Sequence, residues 1–331
     1  MSAYPVRPAA RDRFVLERRG PRLRLDPRQP QGITFEEEPD CNGRIGRSAT
    51  VFLTGRECPW RCVMCDLWKG TLPADTPPGA IPAQLASARA VFDRQPPPIA
   101  TLKLYNAGSF FDPRAVPEGD YAAVASRLAG FSRVVVESHP SLVGPRVERF
   151  LGHLHAHGPA APRLEVAMGL ETVHPGALER LYKRMSVAAF ARAAERLARY
   201  GADVRVFLLI APPFIPPTEQ DGWLLRSIDT AFACGASVVS LIPVRPGNGA
   251  MEALEAQGLF RTPVLHEIER AVDLAHAARR PAHARLFVDT WDLQRFTSCR
   301  VCGERRRDRL HAMNLAQRAL PPVPCACAEP A

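Results

Sequence analysis

Long apolar stretches are missing from this sequence. No run of about 18 apolar residues occurs in its 331 residues, and no apolar segment follows the basic residues near the start. We therefore expect neither a membrane span nor a secretory signal, and predict a cytoplasmic protein without a membrane partner. Internal repeats and long low-complexity stretches are also missing.

Lysine is scarce as well. Of 43 basic residues only Lys69, Lys103 and Lys183 are lysines, and the formal net charge is +9. A basic chain is compatible with a polyanionic partner such as RNA. The excess of arginine over lysine, together with 33 prolines, also indicates a GC-rich coding bias. Charge alone therefore does not establish nucleic-acid binding.

From Ser48 onward, short β-rich runs alternate with segments of helical spacing. This alternation is typical of a parallel α/β layout, either a closed barrel or an open doubly wound sheet. The predicted strands are SATVFL, TLKLY, RVVVE, RLEVAMGL, DVRVFLLI, SVVSLI and RLFVD, and the predicted helices include 81–94, 121–129, 187–200 and 218–232. We divide the chain into an irregular N-terminal arm (1–44), a core domain (45–280) and a C-terminal extension (281–331).

Nine cysteines in a reducing compartment indicate metal binding or catalysis before disulfides. Cys58, Cys62 and Cys65 have the spacing C-x3-C-x2-C and follow the first strand of the α/β pattern. Three thiolates at this spacing can ligate three irons of a 4Fe-4S cluster and leave the fourth iron open. The alternatives are a zinc loop or a chance cluster, but structural zinc requires four ligands and the motif contains no histidine.

This motif resembles the defining motif of the radical S-adenosylmethionine (SAM) superfamily. The phrases ESHP, GLET, LLIAPPF and SLIPVRP are similar to the subgroup that contains the elongator catalytic-subunit domain and the archaeosine radical SAM enzyme, over residues 45–303. The family usually has an aromatic residue just before the third cysteine. Here that position is Met64, and Trp60 is the nearest aromatic residue, so packing over the adenine differs.

The resemblance implies a partial (β/α)6 TIM-like barrel in which the open iron chelates SAM. It also implies an electron donor such as flavodoxin or ferredoxin, and reductive cleavage of SAM to a 5′-deoxyadenosyl radical that modifies a substrate. No catalytic residue is expected beyond the cluster and SAM. Members of the subgroup often act on tRNA, so tRNA is a candidate partner.

The remaining cofactor contacts are assigned to strand ends. A small turn that admits the SAM amino group follows the second strand, and carboxylates at the ends of the next two strands suit ribose or ammonium groups. Lys183 and Arg184 are candidates for the SAM carboxylate, although a surface-helix role is equally open. The predicted cofactor-binding residues are Asn106, Ala107, Gly108, Ser109, Glu137, Glu171 and Lys183.

Four more cysteines form a second candidate metal site near the C-terminus: Cys299, Cys302, Cys325 and Cys327. The two pairs flank a predicted helix over residues 304–319 and have room to fold together. Four thiolates can make a closed zinc site or hold a second iron-sulfur cluster, and the pairs can also remain without a ligand. The arginine run at residues 305–309 is either a solvated helix face or an RNA-phosphate contact.

Three functions remain open. The leading hypothesis is radical modification of a nucleoside in RNA, especially tRNA. A radical SAM enzyme with a small-molecule or peptide substrate is the second, because no separate RNA-binding domain is recognisable. The third is a non-catalytic, metal-bound nucleic-acid-binding protein.

Overall fold

The computed structural model of this protein describes residues 3–94 and 97–328. The strands are β1 (Gly32–Pro39), β2 (Ile45–Leu53), β3 (Gly55–Arg56), β4 (Thr71–Leu72), β5 (Thr101–Asn106), β6 (Arg133–Glu137), β7 (Arg163–Glu171), β8 (Asp203–Ile210), β9 (Val238–Pro243) and β10 (Arg285–Val288). The helices are α1 (Pro8–Leu16), α2 (Ala80–Phe92), α3 (Tyr121–Leu128), α4 (Pro145–His155), α5 (Pro175–Leu181), α6 (Val187–Arg199), α7 (Gln220–Ala233), α8 (Ala250–Glu255), α9 (Leu265–Ala277) and α10 (Gly303–Ala316). Within residues 3–94 and 97–328, every helix is too short or too polar to span a lipid bilayer.

Eight strands form one curled sheet in the order β1-β2-β5-β6-β7-β8-β9-β10. The seven strands from β2 to β10 are parallel, while β1 pairs with β2 in the antiparallel direction. Successive parallel strands are joined by helical crossovers, as parallel pairing requires. The fold is therefore an α/β half-barrel, which confirms the predicted partial TIM-like barrel.

The seven strands predicted from the sequence are confirmed, and the helices 81–94, 121–129, 187–200 and 218–232 each match an observed helix within two residues at either end. The N-terminal arm differs from the prediction, since it contains α1 and β1 and is not irregular. β10, assigned to the C-terminal extension, is hydrogen-bonded to β9 in the main sheet. The domain boundaries themselves stay a prediction.

Alternate residues of each strand face two different environments. One face packs against the helices and carries the apolar core, for example Val51 of β2, Leu104 of β5 and Val206 of β8. The other face lines the lumen and is charged in its lower part. This alternation is the ordinary consequence of the two-residue period of a strand.

Ion pairs fill the lower lumen. Glu165 of β7 is fully buried and pairs with Arg205 of β8 at 2.6 Å. Lys103 of β5 pairs with Glu38 of β1 at 2.5 Å, and Arg205 also reaches Glu38 at 3.4 Å. Buried charges are tolerated only when they are paired in this way. β1, with its inward carboxylates, therefore helps to close the bottom of the barrel.

Aromatic rings lie above the ion pairs. Tyr105 of β5 and Phe207 of β8 meet edge to face, with ring centroids 6.0 Å apart. Since the charged layer and the aromatic rings occupy the lower lumen, a ligand enters from the carboxyl ends of the strands. That is the edge at which ligand sites of parallel α/β folds lie.

The free edge of β10 is covered by α10. The side-chain amide of Asn314 accepts from the Val288 N–H and donates to the Val288 carbonyl, each at 2.8 Å. The amide of Gln317, one turn later, makes the same pair of contacts with Leu286. Two side chains thus replace the missing neighbouring strand and satisfy the backbone of an edge strand.

Candidate functional site

The three-cysteine loop lies at the carboxyl edge of the sheet, directly after β2 and β3. All three thiols are half-buried and free. Loss of hydration raises the pKa of Cys58 and Cys62, and it raises the pKa of Cys65 to about 12. Holding three thiolates here therefore requires a nearby cation or bound metal, because ionisation alone is unfavourable.

The loop is held from both sides. The buried Asn248 donates to the carbonyls of Val63 and Cys65 at 2.7 and 3.2 Å, while its Oδ1 accepts from the Met251 N–H. The Val63 N–H donates to the carbonyl of Leu181. No sequence motif identifies Asn248, because it lies 185 residues from Val63 along the chain.

Glu57, immediately before Cys58, is a second anchor. This buried carboxylate pairs with Arg19 at 2.8 Å, with Arg61 at 3.1 Å and also with Arg22. Two of these arginines come from the N-terminal arm, which therefore fixes the loop in place. Charged hydrogen bonds in a buried position give such an anchor strength and direction.

Trp60 lies face to face with His139, with ring centroids 3.7 Å apart and an interplanar angle of 15°. His139 Nδ1 accepts from the Ser141 N–H, so Nε2 carries the proton and donates to the Lys183 carbonyl at 3.0 Å. Burial and the positive charge of Lys183 lower the pKa of His139 to about 3. The neutral imidazole thus joins the cysteine loop, the end of β6 and the Lys183 segment.

In the turn after β5 the backbone lies very close to the neighbouring segment. A Cβ on Gly108 would lie 2.8 Å from the carbonyl oxygen of Arg56, so only glycine fits without a shift. Ser109 Oγ accepts from the His139 N–H, and Glu137 accepts from the Asn106 N–H at 2.9 Å. The side-chain amide of Asn106 is buried, and neither of its polar atoms has a partner in the described structure. Ala107 lies half-buried in the same turn.

Glu137 faces the lumen at the end of β6. Burial raises its pKa to about 8, although the Asn106 N–H and the charge of Lys183 act in the opposite direction. This carboxyl group is therefore largely protonated near neutral pH unless a cationic ligand binds beside it. An ammonium group of a ligand would supply that cation.

Glu171 and Lys183 form an ion pair at the same edge. Burial disfavours the charge of Lys183, but the nearby Glu171 carboxylate and the Cys62 thiol raise its pKa above the ordinary value. Glu171 adopts a left-handed backbone (φ 66°) at an irregularity in the pairing of β7 with β8. A Cβ on Gly169 would lie within about 2.2 Å of both Glu171 and Lys183 side chains. Gly169 therefore provides the room for this pair.

Arg184 is used differently from Lys183. Both lie in the loop between α5 and α6, not on a helix. Arg184 pairs with Asp12 of α1 at 2.8 Å and donates to the hydroxyl of Tyr182. Its guanidinium thus anchors the N-terminal arm, whereas Lys183 pairs with Glu171 at the edge of the sheet.

The donor set at this edge fits an iron-sulfur cluster and SAM. Two of the three thiols lie near a buried lysine, since the charge of Lys183 lowers the pKa values of Cys58 and Cys62. The buried amide of Asn106 has donor and acceptor capacity that no described residue uses. An unpaired buried amide is costly, which indicates a polar ligand in this pocket. The predicted cofactor residues thus lie together, while their individual roles stay predictions.

The four C-terminal cysteines also come together. Their sulfur atoms all lie within 4.8 Å of one another, with Cys299 to Cys325 at 3.8 Å and Cys302 to Cys327 at 3.3 Å. Backbone N–H groups lower the pKa of Cys299, and Arg306 donates to the sulfur of Cys302 at 3.2 Å. Four converging thiols of this kind can bind a metal ion.

No family model matches the chain. Two archaeal proteins are nevertheless similar to it in sequence over most of its length. The archaeosine synthase subunit beta of Methanosarcina acetivorans is 26% identical over 304 residues, which cover 87% of this chain and 85% of that protein. An uncharacterized protein of Methanocaldococcus jannaschii is 24% identical over 258 residues, 73% of this chain and 68% of that protein.

The solved structure of Methanocaldococcus infernus Elp3 with an N-terminal deletion has a similar fold. It is 12% identical, with a TM-score of 0.50 over 80% of this chain and 63% of that chain, so this chain spans less than two thirds of it. The chain is thus similar in sequence to archaeosine synthase subunit beta and in fold to archaeal Elp3, in agreement with the resemblance drawn from the cysteine motif and the strand phrases.

Glu137→Gln should change how stability depends on pH. The folded-state pKa of about 8 lies above the ordinary value of 4.5, so unfolding releases a proton between these pH values. The Tm of the wild-type protein without SAM should therefore fall as pH rises through this range. Glu137→Gln has no carboxyl group to ionise at this position, so its Tm should fall less over the same pH range. Glu148→Gln, on the exposed face of α4, is the control, and an identical pH profile for Glu137→Gln and wild type would contradict the assignment.

Asn248→Ala should loosen the cysteine loop. Removing this amide leaves two loop carbonyls and one N–H without their partner, which costs about 1–3 kcal/mol. We expect lower stability and, after anaerobic reconstitution, less iron bound per chain. Asn314→Ala removes an amide with two backbone contacts on β10 and is the matched control. Equal iron retention in the two variants would show that Asn248 contributes to stability only.

Proposed function

We propose that this protein is a radical SAM enzyme that modifies a nucleoside in RNA, most specifically in tRNA. The observation that carries the proposal is the position of Cys58, Cys62 and Cys65 at the mouth of the half-barrel. Lys183 lies near two of these thiols, and the unpaired amide of Asn106 ends β5 at the same edge of the sheet. The similarity to archaeosine synthase subunit beta over 87% of the chain supports the RNA substrate class.

In this proposal the three cysteines ligate a 4Fe-4S cluster. When bound and reduced by a donor such as flavodoxin or ferredoxin, the cluster would supply the electron that splits SAM into methionine and a 5′-deoxyadenosyl radical, and the radical would take a hydrogen atom from the substrate to give 5′-deoxyadenosine. Asn106, Gly108 and Ser109 form the turn that receives the amino end of SAM. Glu137 accepts hydrogen bonds from the ammonium or ribose, and its pKa of about 8 falls when that cation binds.

Lys183 has two tasks at this site. It lowers the cost of ionising the thiols, and it pairs with Glu171 when no anionic ligand is present. A carboxylate of SAM would share or replace this partner. The filled lower lumen and the aromatic rings above it limit water at the reacting centre from below, so the substrate has to approach from the mouth.

The enzyme assignment requires formation of 5′-deoxyadenosine from SAM. Under anaerobic, reducing conditions, wild-type protein should form it, and Cys58→Ala, Cys62→Ala and Cys65→Ala should each reduce it to background. Cys234→Ala, a lone thiol on the C-terminal end of α7, is the control and should retain activity. A wild-type protein with a full cluster and no 5′-deoxyadenosine would support the non-catalytic reading instead.

The substrate class is tested separately by mass spectrometry of digested tRNA nucleosides from the native host, with and without the gene. We expect one nucleoside to disappear or a precursor to accumulate on deletion, and the cysteine variants to fail to restore the profile. An unchanged profile with intact SAM cleavage would contradict the RNA substrate and favour a small molecule or peptide.

For the C-terminal cysteines we propose one zinc ion. Tetrahedral Zn–S bonds of about 2.3 Å separate the ligand sulfurs by about 3.8 Å, close to the two separations of 3.8 and 3.3 Å. A 4Fe-4S cluster has an iron at each corner and holds its four thiolates farther apart than a single ion does. Elemental analysis should find one zinc per chain that is lost in Cys302→Ser. Zinc-free protein with additional iron that depends on these cysteines would contradict the proposal.

A further inference from the structure

A polar pocket adjoins the four-cysteine site at the start of α10. Its volume is about 300 Å³, and side chains of both charges face it. Apart from Cys299 and Gly303, its lining consists of Gln294, Thr297, Ser298, Arg300, Glu304 and Arg307. The amino end of a 14-residue helix lies beside it, where the helix dipole favours an anion.

The arginines of this region have two different environments. Arg306 is buried and pairs with Glu269, and Arg309 is buried and pairs with Glu269 and Asp273. These two therefore hold α10 against α9 and are not available to RNA, which corrects part of the RNA contact suggested for residues 305–309. Sequence could not separate them, because their acidic partners lie more than 35 residues away.

Arg300 and Arg307 are the pocket's cations. In the described part of the chain, Arg300 has no hydrogen-bond or ion-pair partner and Arg307 donates only to the carbonyl of Gly303. Neither contacts a cysteine sulfur there, in contrast to Arg306. Their charges are thus not used by the metal site or by a carboxylate, although Glu304 places one negative charge at the same pocket.

The pocket is joined to the mouth of the barrel by the segment that follows β10. This segment contains the exposed Trp291 (69% exposed) and the short 3-10 helix Leu293–Phe296, whose Gln294 lines the pocket. The Trp291 ring is 6.0 Å from the ring of Phe52 at the upper end of β2. Exposed aromatic rings and arginines without acidic partners are the groups with which proteins hold unpaired nucleotides, by stacking and by phosphate contacts.

We infer that this pocket binds a backbone phosphate of the RNA substrate between Arg300 and Arg307, with Trp291 stacking on a neighbouring base. The inference rests on the proposed function and adds the site by which the substrate is held over the mouth. Arginine forms two parallel hydrogen bonds with a phosphate, so two arginines and the hydroxyls of Thr297 and Ser298 suffice for one phosphate group. The metal, by fixing Cys299 and Cys302, would set the spacing of the two arginines.

The test is tRNA binding by the holoenzyme over a series of salt concentrations. Host tRNA is the probe, and the variants are Arg300→Ala with Arg307→Ala, Trp291→Ala and Glu304→Gln. The double variant should bind tRNA about tenfold more weakly, or weaker still. Its slope of log K against log salt concentration should be shallower by about 1–2, because each phosphate contact releases counterions. Trp291→Ala should weaken binding with an unchanged slope, and Glu304→Gln should tighten it.

The matched control combines Arg127→Ala and Arg192→Ala, two exposed arginines on α3 and α6, with the same change in charge. It should retain the wild-type affinity. Zinc and iron content is measured for every variant, and the single variant Arg300→Ala replaces the double one if zinc is lost. Wild-type affinity and slope in the arginine variants would overturn the pocket while leaving an RNA substrate in place. A wild-type holoenzyme without salt-dependent tRNA binding would overturn the RNA substrate itself, and the pocket with it.

Discussion

The buried ion pairs in the lower lumen decide where this protein can bind a ligand. Glu165, Arg205, Lys103 and Glu38 come from four different strands and meet inside the curled sheet. Each charge is costly to bury alone, so the strands that carry them have to keep their register. The neighbouring charges hold the pKa values of Glu38 and Glu165 below their ordinary range despite burial. The network thereby closes one end of the half-barrel and leaves the carboxyl edge as the entrance.

Both ends of the chain stabilise this entrance. The N-terminal arm contributes β1 to the sheet and two arginines to Glu57, next to the cysteine loop. The C-terminal helix covers the opposite edge strand with Asn314 and Gln317. Arg285 of β10 donates to the carbonyl of Pro39 of β1 at 3.3 Å, so the two edges of the open sheet contact each other. The four-cysteine site then fixes the start of the helix that covers this seam.

Local patterns in the sequence predicted the repeated unit of the fold. The β-rich runs and helical spacings of residues 48–288 identify the strands and most of their crossover helices, because each is set by neighbouring residues. β1 does not stand out in the sequence, because three consecutive glutamates interrupt the alternation of apolar and polar residues in GITFEEEP. Glu36 and Glu38 are explained by Lys103 and Arg205, which lie more than 60 residues away along the chain.

In the candidate site, too, local patterns are visible in the sequence and long-range contacts are not. Cys58, Cys62 and Cys65 are recognisable because their spacing along the chain reflects the cluster they would hold. Asn248, His139 and Glu57 act through contacts with distant segments, and no spacing reveals them. The different uses of Lys183 and Arg184 also depend on tertiary structure, since the two side chains point to different partners.

We propose that the cysteine loop holds a 4Fe-4S cluster with one iron open to SAM. Electron paramagnetic resonance of the reduced, anaerobically reconstituted protein tests this cluster directly. We expect the signal of a reduced 4Fe-4S cluster that changes when SAM is added and that is absent from Cys62→Ala. A cluster signal that SAM leaves unchanged, or that persists without Cys62, would contradict it.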